Sequence, residues 1–292
     1  MTDLLWKPDE DTYANSAIKN FADTIAKNYG IQINEYEDLW QWSITEKEKF
    51  WSTLLQFLGV RYSGNIDPVI TNDELIYDQK FFPNVSLNYA ENIILNLNNT
   101  PIIFINEKGF RQEITKEEII TKVSSLSSYL RSIGIKKGDR VAAISANTPN
   151  TLISFLSVNS LGAVWSSCSP DFGEAAILDR FNQIEPKVLL YSEIYFYGGK
   201  KFNIKERVSN IIREIETLEK SLCINYQDSK EEQIKNDVID INSIFTDSKF
   251  CGDLNFEPCS FNDPMYILYS SGTTGKPKCI VHNIGGPLLQ HM

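Results

Sequence analysis

The sequence has no basic block: its 28 Lys and Arg are outnumbered by 38 Asp and Glu, leaving a formal net charge of -10. A surface of that sign repels polyanions, which argues against a nucleic-acid partner. Histidine is scarce as well. With His282 and His291 alone, a multi-histidine metal centre is excluded. The five cysteines, Cys168, Cys223, Cys251, Cys259 and Cys279, are odd in number and contain no C-x-x-C pair. Neither a disulfide framework nor a zinc site follows from that spacing, so reduced thiols in a cytosol-like (cytoplasmic) compartment are expected. No apolar run approaches the length that crosses a membrane. Residues 1–20 lack the basic start and apolar middle of a standard secretory signal.

What is present is ordinary for a globular protein, with 42% hydrophobic and 23% charged residues over a 292-residue chain. That length accommodates one large domain or two smaller ones. Two segments are expected. Residues 1–100 are rich in aromatics and irregular, with a helical stripe through Trp40, Trp42, Phe50, Trp51, Leu54, Leu55 and Leu58 that breaks at Gly59. A stripe at that spacing is a packing face. A short helix is predicted over Leu87–Leu97, closed by Pro101.

Residues 101–292 alternate strand and helix. Ile102–Ile105 reads as a strand with Gly109 in the following turn, and Thr115 with Glu118 forms a capping box opening a helix that stops at Gly134. Val141–Ser145 is an apolar strand, and Thr148-Pro149 opens a helix ending near Gly162. Ala163–Ser167, Glu174–Ile184 and Val188–Tyr191 continue as strand, helix and strand, with Pro186 as a break. Ser209–Glu219 is amphipathic, Gln227–Asp237 reads as a solvated loop or insertion, and Met265–Tyr269 is the last clear strand. Repeated β-α-β units with apolar strands specify an α/β fold with a mostly parallel sheet covered on both faces.

One stretch carries chemistry. From Met265 an apolar strand runs into Ser270-Ser-Gly-Thr-Thr-Gly-Lys-Pro-Lys278. Glycines at 272 and 275 let the backbone curl so that successive N–H groups converge on one anion. The hydroxyls of Ser270, Ser271, Thr273 and Thr274 can donate to phosphate oxygens, and Lys276 supplies compensating charge. The loop sits at the carboxyl end of a strand, where open α/β sheets place ligands. It is not a Walker A loop: Gly272 and Gly275 are too close together, and Pro277 follows the lysine.

Tyr269 to Lys278 resembles the phosphate-binding signature of the adenylate-forming superfamily of acyl-CoA synthetases, adenylation domains and luciferases. The wider flanks are similar to the acetoacetyl-CoA synthetase (acetoacetate–CoA ligase) branch. The stretches that carry this likeness are Phe82-Pro-Asn-Val-Ser-Leu-Asn-Tyr-Ala-Glu-Asn92, Trp165-Ser-Ser-Cys-Ser-Pro-Asp-Phe-Gly173, Asp179-Arg-Phe-Asn-Gln-Ile-Glu-Pro-Lys187 and Cys279-Ile-Val-His-Asn-Ile-Gly-Gly286. The likeness runs from about Trp6 to the last residue.

The resemblance implies an acid–thiol ligase using ATP, Mg2+ and CoA. Acetoacetate attacks the α-phosphorus of Mg-ATP, pyrophosphate leaves, and the CoA thiol then displaces AMP from the acyl-adenylate. Ser270, Ser271, Gly272, Thr273, Thr274, Gly275 and Lys276 are expected at the ATP phosphates, and none as a nucleophile. Gly198, Gly199 and Lys200, with Lys201 adding charge, stand where related acetyl-CoA synthetases contact the nucleotide end of CoA. Tyr197 stands where those enzymes have arginine, and a plain Gly-Gly surface turn is an equal alternative. His282, expected on a strand a few residues after the loop, is read as a locally satisfied histidine, Cys168 and Cys279 as small buried residues, and Asp171 and Asp179 as capping or ion-pairing groups. In the family the adenine and ribose motifs, a hinge and a small domain with the adenylation lysine follow the segment present here. The chain is thus expected to be an N-terminal part, an incomplete adenylate-forming domain preceded by a helical segment, and inactive alone. A missing C-terminal half is its expected partner, with neither nucleic acid nor membrane. An acetate or propionate enzyme fragment, and a non-catalytic interaction module keeping the fold, remain the alternatives.

Overall fold

Residues 5–71, 75–224, 238–270 and 275–292 are described by a computed structural model of the chain. Two compact units emerge: one holds the residues up to Val85 together with Leu289–Met292, the other Ser86–Leu288.

The first unit contains the helices Glu10–Ala14, Ala17–Tyr29, Tyr36–Thr45 and Lys47–Phe57. Phe21, Ile25 and Leu39 form its buried centre, with Trp42, Phe50, Leu54 and Phe57 packed around them. Trp42, Phe50 and Leu54 of the aromatic stripe therefore pack as expected, whereas Trp40 is 44% exposed, and the stripe is carried by two helices rather than one. They part at Glu46, whose φ of -113° and ψ of 50° leave the helical region. Neither glycine nor proline marks that break.

The second unit is built on a seven-stranded sheet: β1 (Arg140–Ile144), β2 (Val164–Cys168), β3 (Val188–Tyr191), β4 (Lys220–Cys223), β5 (Ile239–Asp240), β6 (Pro264–Ser270) and β7 (Lys278–Asn283). Their spatial order is β5-β4-β3-β1-β2-β6-β7, parallel throughout except for β7, which returns antiparallel to β6. β1 lies between β2 and β3, so successive crossovers leave it in opposite directions. That reversal sends the intervening helices to opposite faces.

Side chains alternate across the sheet as the pleat requires. Val141 and Ala143 of β1, with Val188 and Leu190 of β3, face a core shared with α1 (Lys116–Ser132) and α2 (Pro149–Ser160). Ala142 and Ile144, with Leu189 and Tyr191, face the other core under α3 (Glu174–Ile184) and α4 (Lys205–Glu214). The predicted caps are in place. Thr115 and Glu118 form the capping box of α1, with Glu118 Oε2 accepting from Thr115 N at 2.8 Å, and Thr148 caps α2 ahead of Pro149.

The strand expected to carry His282 after the loop is present as β7. Two readings need correction. The amphipathic helix covers Lys205–Glu214 rather than Ser209–Glu219; Ile215 follows it as a cap, and Leu218 packs from beyond it. The hairpin Ile194–Tyr197/Lys200–Asn203 and the strands β4 and β5 were not anticipated. The proposed loop over Gln227–Asp237 lies outside the described residues.

Candidate functional site

β6 and β7 form a hairpin whose last register pair is Ser270 with Lys278. Ser271, Gly272, Thr273 and Thr274 lie outside the described residues. Gly275 has φ of +97°, a conformation that a residue with a Cβ adopts only under strain. Lys276 is exposed, and among the described residues it makes neither ion pair nor hydrogen bond. A lysine held in this way can meet an anion from solution.

The loop is anchored from below and from the side. Ser166 Oγ of β2 lies 2.8 Å from the carbonyl oxygen of Ile267 and 2.8 Å from the Tyr269 hydroxyl. From α3, Gln183 Nε2 donates to the Pro277 carbonyl at 3.0 Å. The Arg180 guanidinium lies over the rings of Phe172 and Tyr269, at 4.8 and 5.6 Å from their centroids. These contacts fix both strands that deliver the loop, which is how a phosphate cradle gains its precision.

Burial keeps the thiols of Cys168 and Cys279 and the Tyr269 phenol protonated near pH 7. Burial pushes the Cys168 thiol up to about 12, against a smaller opposing pull from Arg180. Burial also raises Cys279, and raises the Tyr269 phenol despite the hydrogen bond with Ser166. A protonated thiol is a poor nucleophile, so this site can hold and orient an anion but offers no thiolate. Cys168 is buried as expected, and Cys279 only half so. His282 packs its ring against Tyr266, its register partner, with centroids 4.8 Å apart. Among the described residues it gains packing rather than the expected side-chain hydrogen bonds. Asp171 and Asp179 are exposed; α3 is capped by Gly173, and neither aspartate pairs with a cation among the described residues.

Gly198 and Gly199 form the two-residue turn of the hairpin after β3, with φ of +58° and +75°. Two positive values in succession suit the tight turns that follow the strand twist. Lys200 and Lys201 are exposed on the returning strand. Beside this hairpin a cleft of about 390 Å3 opens at the carboxyl ends of β1 and β2, lined by Ser145, Asn147, Cys168, Ser169, Tyr195 and Tyr197 among others. Because β6 is parallel to β2, its loop emerges at the same edge of the sheet. The topology thus gathers both predicted contact groups on one edge. The cleft itself was not foreseen, since its lining comes from three segments, residues 145–147, 167–171 and 195–197, that only the fold brings together.

Asn88, within the stretch from Phe82 to Asn92, has a structural job. Buried Asn88 Nδ2 lies 3.0, 3.2 and 2.9 Å from the carbonyls of Asn159, Ser160 and Glu257, while its Oδ1 accepts from Glu91 N at 3.1 Å. It caps the helix Tyr89–Asn96 and ties that helix to the end of α2. Among the described residues no group of three or more His, Cys, Asp and Glu is placed to hold a metal.

The family described as AMP-binding enzyme matches residues 97–290. The acetoacetyl-CoA synthetase of Macaca fascicularis is 35% identical over 301 residues, covering 99% of this chain and 44% of that protein. The acetoacetyl-coenzyme A synthetase of Rhizobium meliloti is 35% identical over 294 residues, with the same coverages of 99% and 44%. Among solved structures, an acetoacetyl-CoA synthetase from Streptomyces lividans superposes with a TM-score of 0.92 at 32% identity, over 99% of this chain and 45% of that one. The chain thus spans less than half the length of the relatives it matches.

Proposed function

The chain belongs to the AMP-binding enzyme family, and from that premise we propose that it supplies the outer-phosphate grip and the coenzyme-facing edge of a ligase that activates acetoacetate. The observation that carries the reading is the hairpin β6–β7, whose loop ends in Gly275 at φ +97° and an exposed Lys276, without a partner among the described residues, at the carboxyl edge of the sheet. In this reading the backbone from Ser271 to Gly275 and the hydroxyls of Ser270, Thr273 and Thr274 hold the β- and γ-phosphates of Mg-ATP. Lys276 offsets their charge. Binding the outer phosphates aligns pyrophosphate as the leaving group when the carboxylate attacks the α-phosphorus.

CoA enters along the cleft between the carboxyl ends of β1 and β2, with Gly198, Gly199 and Lys200 at its nucleotide end. Tyr197 covers there with an aromatic face what an arginine fork would hold by charge. A grip on the outer phosphates alone cannot place a carboxylate against the α-phosphorus. The remaining part of the relatives' length must contribute that geometry, and this chain by itself is inactive. Acetoacetate as substrate is favoured by the flanking stretches and by the names of the relatives.

Acetoacetate-dependent exchange of pyrophosphate into ATP tests the reading. The chain is assayed alone and joined to the portion of the Streptomyces lividans enzyme that follows the matched region. Exchange only in the joined protein, faster with acetoacetate than with acetate or propionate, supports it. Exchange driven equally by acetate or propionate overturns the substrate assignment, and exchange by the chain alone overturns the incompleteness.

A further inference from the structure

Two hairpin turns far apart in sequence meet at Gly199. The Glu107 carboxylate, in the turn between the strands Ile102–Ile105 and Arg111–Ile114, accepts from Gly199 N at 3.1 Å. Its neighbour Lys108 places its ammonium 4.0 Å from the centroid of the Phe196 ring, which also lines the cleft. Glu107 is exposed and makes no ion pair among the described residues. An uncompensated negative charge therefore sits on the outward N–H of the Gly198-Gly199 turn, immediately before the exposed Lys200 and Lys201.

We propose that Glu107 is a specificity-determining carboxylate that competes with the coenzyme's terminal phosphate for the Gly199 N–H and weakens CoA binding. The inference rests on the coenzyme reading of this hairpin. A phosphate brought to Lys200 gains that cation and the backbone donor, but it must displace or approach a carboxylate already there. Like charges at such range oppose each other, and at a water-exposed position the opposition amounts to a modest factor in affinity. Lys108, held on Phe196, keeps the Glu107 turn in place against the hairpin, so the carboxylate is a standing competitor rather than a passing one.

The substitution Glu107→Gln tests this because the amide oxygen still accepts from Gly199 N while the charge is gone. Titration calorimetry on the 292-residue chain compares CoA with dephospho-CoA, at low and high salt. The expected result is CoA binding about three- to tenfold tighter in Glu107→Gln than in the unaltered chain. The gain should be smaller for dephospho-CoA and shrink toward about 0.5 M salt. Lys200→Ala weakens CoA in both backgrounds. If Lys200→Ala weakens CoA but Glu107→Gln leaves it unchanged or weaker, the coenzyme reading stands, and Glu107 is only a brace for the turn. If CoA binds none of these proteins, the coenzyme reading of the hairpin fails, and the competition with it.

Discussion

Ser166 and Tyr269 are joined across neighbouring parallel strands, their oxygens 2.8 Å apart, one residue before Ser270 at the end of β6. The same serine oxygen lies 2.8 Å from the Ile267 carbonyl, so one buried hydroxyl holds both the backbone and a side chain of β6. Removing it in Ser166→Ala leaves two polar groups without that partner and should cost about 1–2 kcal/mol. Paired with Tyr269→Phe, the loss should be less than additive, because each substitution removes the same bond. Chemical denaturation of the four proteins checks this; strict additivity would mean the pair is not coupled.

Asn88→Ala removes a helix cap and the donor to three carbonyls at once. The expected loss is about 2–4 kcal/mol, from a cap worth about 1 and buried carbonyls left unpaired. Asn88→Asp keeps the capping oxygen but sets a negative charge against those carbonyls, so it should not restore stability. A loss below about 0.5 kcal/mol in either variant would remove Asn88 from this role.

Thiol reactivity should separate the cysteines by burial. Cys251 is exposed, whereas burial raises Cys168 and Cys223 to about 12 and Cys259 to about 11, from an ordinary 9.0. A disulfide reagent at pH 8 should therefore modify Cys251 first and reach the other three only on unfolding. The same shifts set the alkaline limit. The folded state keeps protons that the unfolded chain releases above about pH 9, so these groups leave stability unchanged below that value. Stability then falls as the pH rises from 9 toward 12. Denaturant midpoints between pH 7 and pH 11 check the sign; a midpoint that rises above pH 9 would contradict it.

The edge of the sheet should drive self-association. On the β6–β7 hairpin, Leu268 is 43% exposed, Ile280 44% and Val281 57%, and among the described residues β7 pairs on one side only. An unpaired apolar edge is a template for another strand. Sedimentation or size exclusion at rising concentration should show larger species, reduced by Ile280→Lys with Val281→Lys. Unchanged association in that double variant would place the contact elsewhere.

Much of the sheet is legible in the sequence because local signals agree there. Thr115 with Glu118, and Thr148 with Pro149, mark helix starts through backbone groups within four residues, and short apolar runs mark β1, β2, β3 and β6. The hairpin over Ile194–Asn203 escapes because its second strand, Lys200–Asn203, is exposed along its whole length and shows no alternation. The start of α4 escapes because Ile204 provides no capping side chain and Lys205–Arg207 is polar. Glu107 reaches Gly199 across 92 residues, a contact that no local pattern encodes. The aromatic stripe shows the same limit, since periodicity finds the packed Trp42, Phe50 and Leu54 but also takes in the exposed Trp40, and the break at Glu46 has no sequence marker.

The grip on the outer phosphates is tested most directly by titrating magnesium pyrophosphate, Mg-ATP and AMP into the 292-residue chain and into Lys276→Ala. The account predicts that pyrophosphate and ATP bind, that AMP, which lacks both outer phosphates, binds far more weakly, and that Lys276→Ala reduces the first two by about tenfold or more without changing the melt. AMP binding as tightly as pyrophosphate, or affinities indifferent to Lys276, would contradict it.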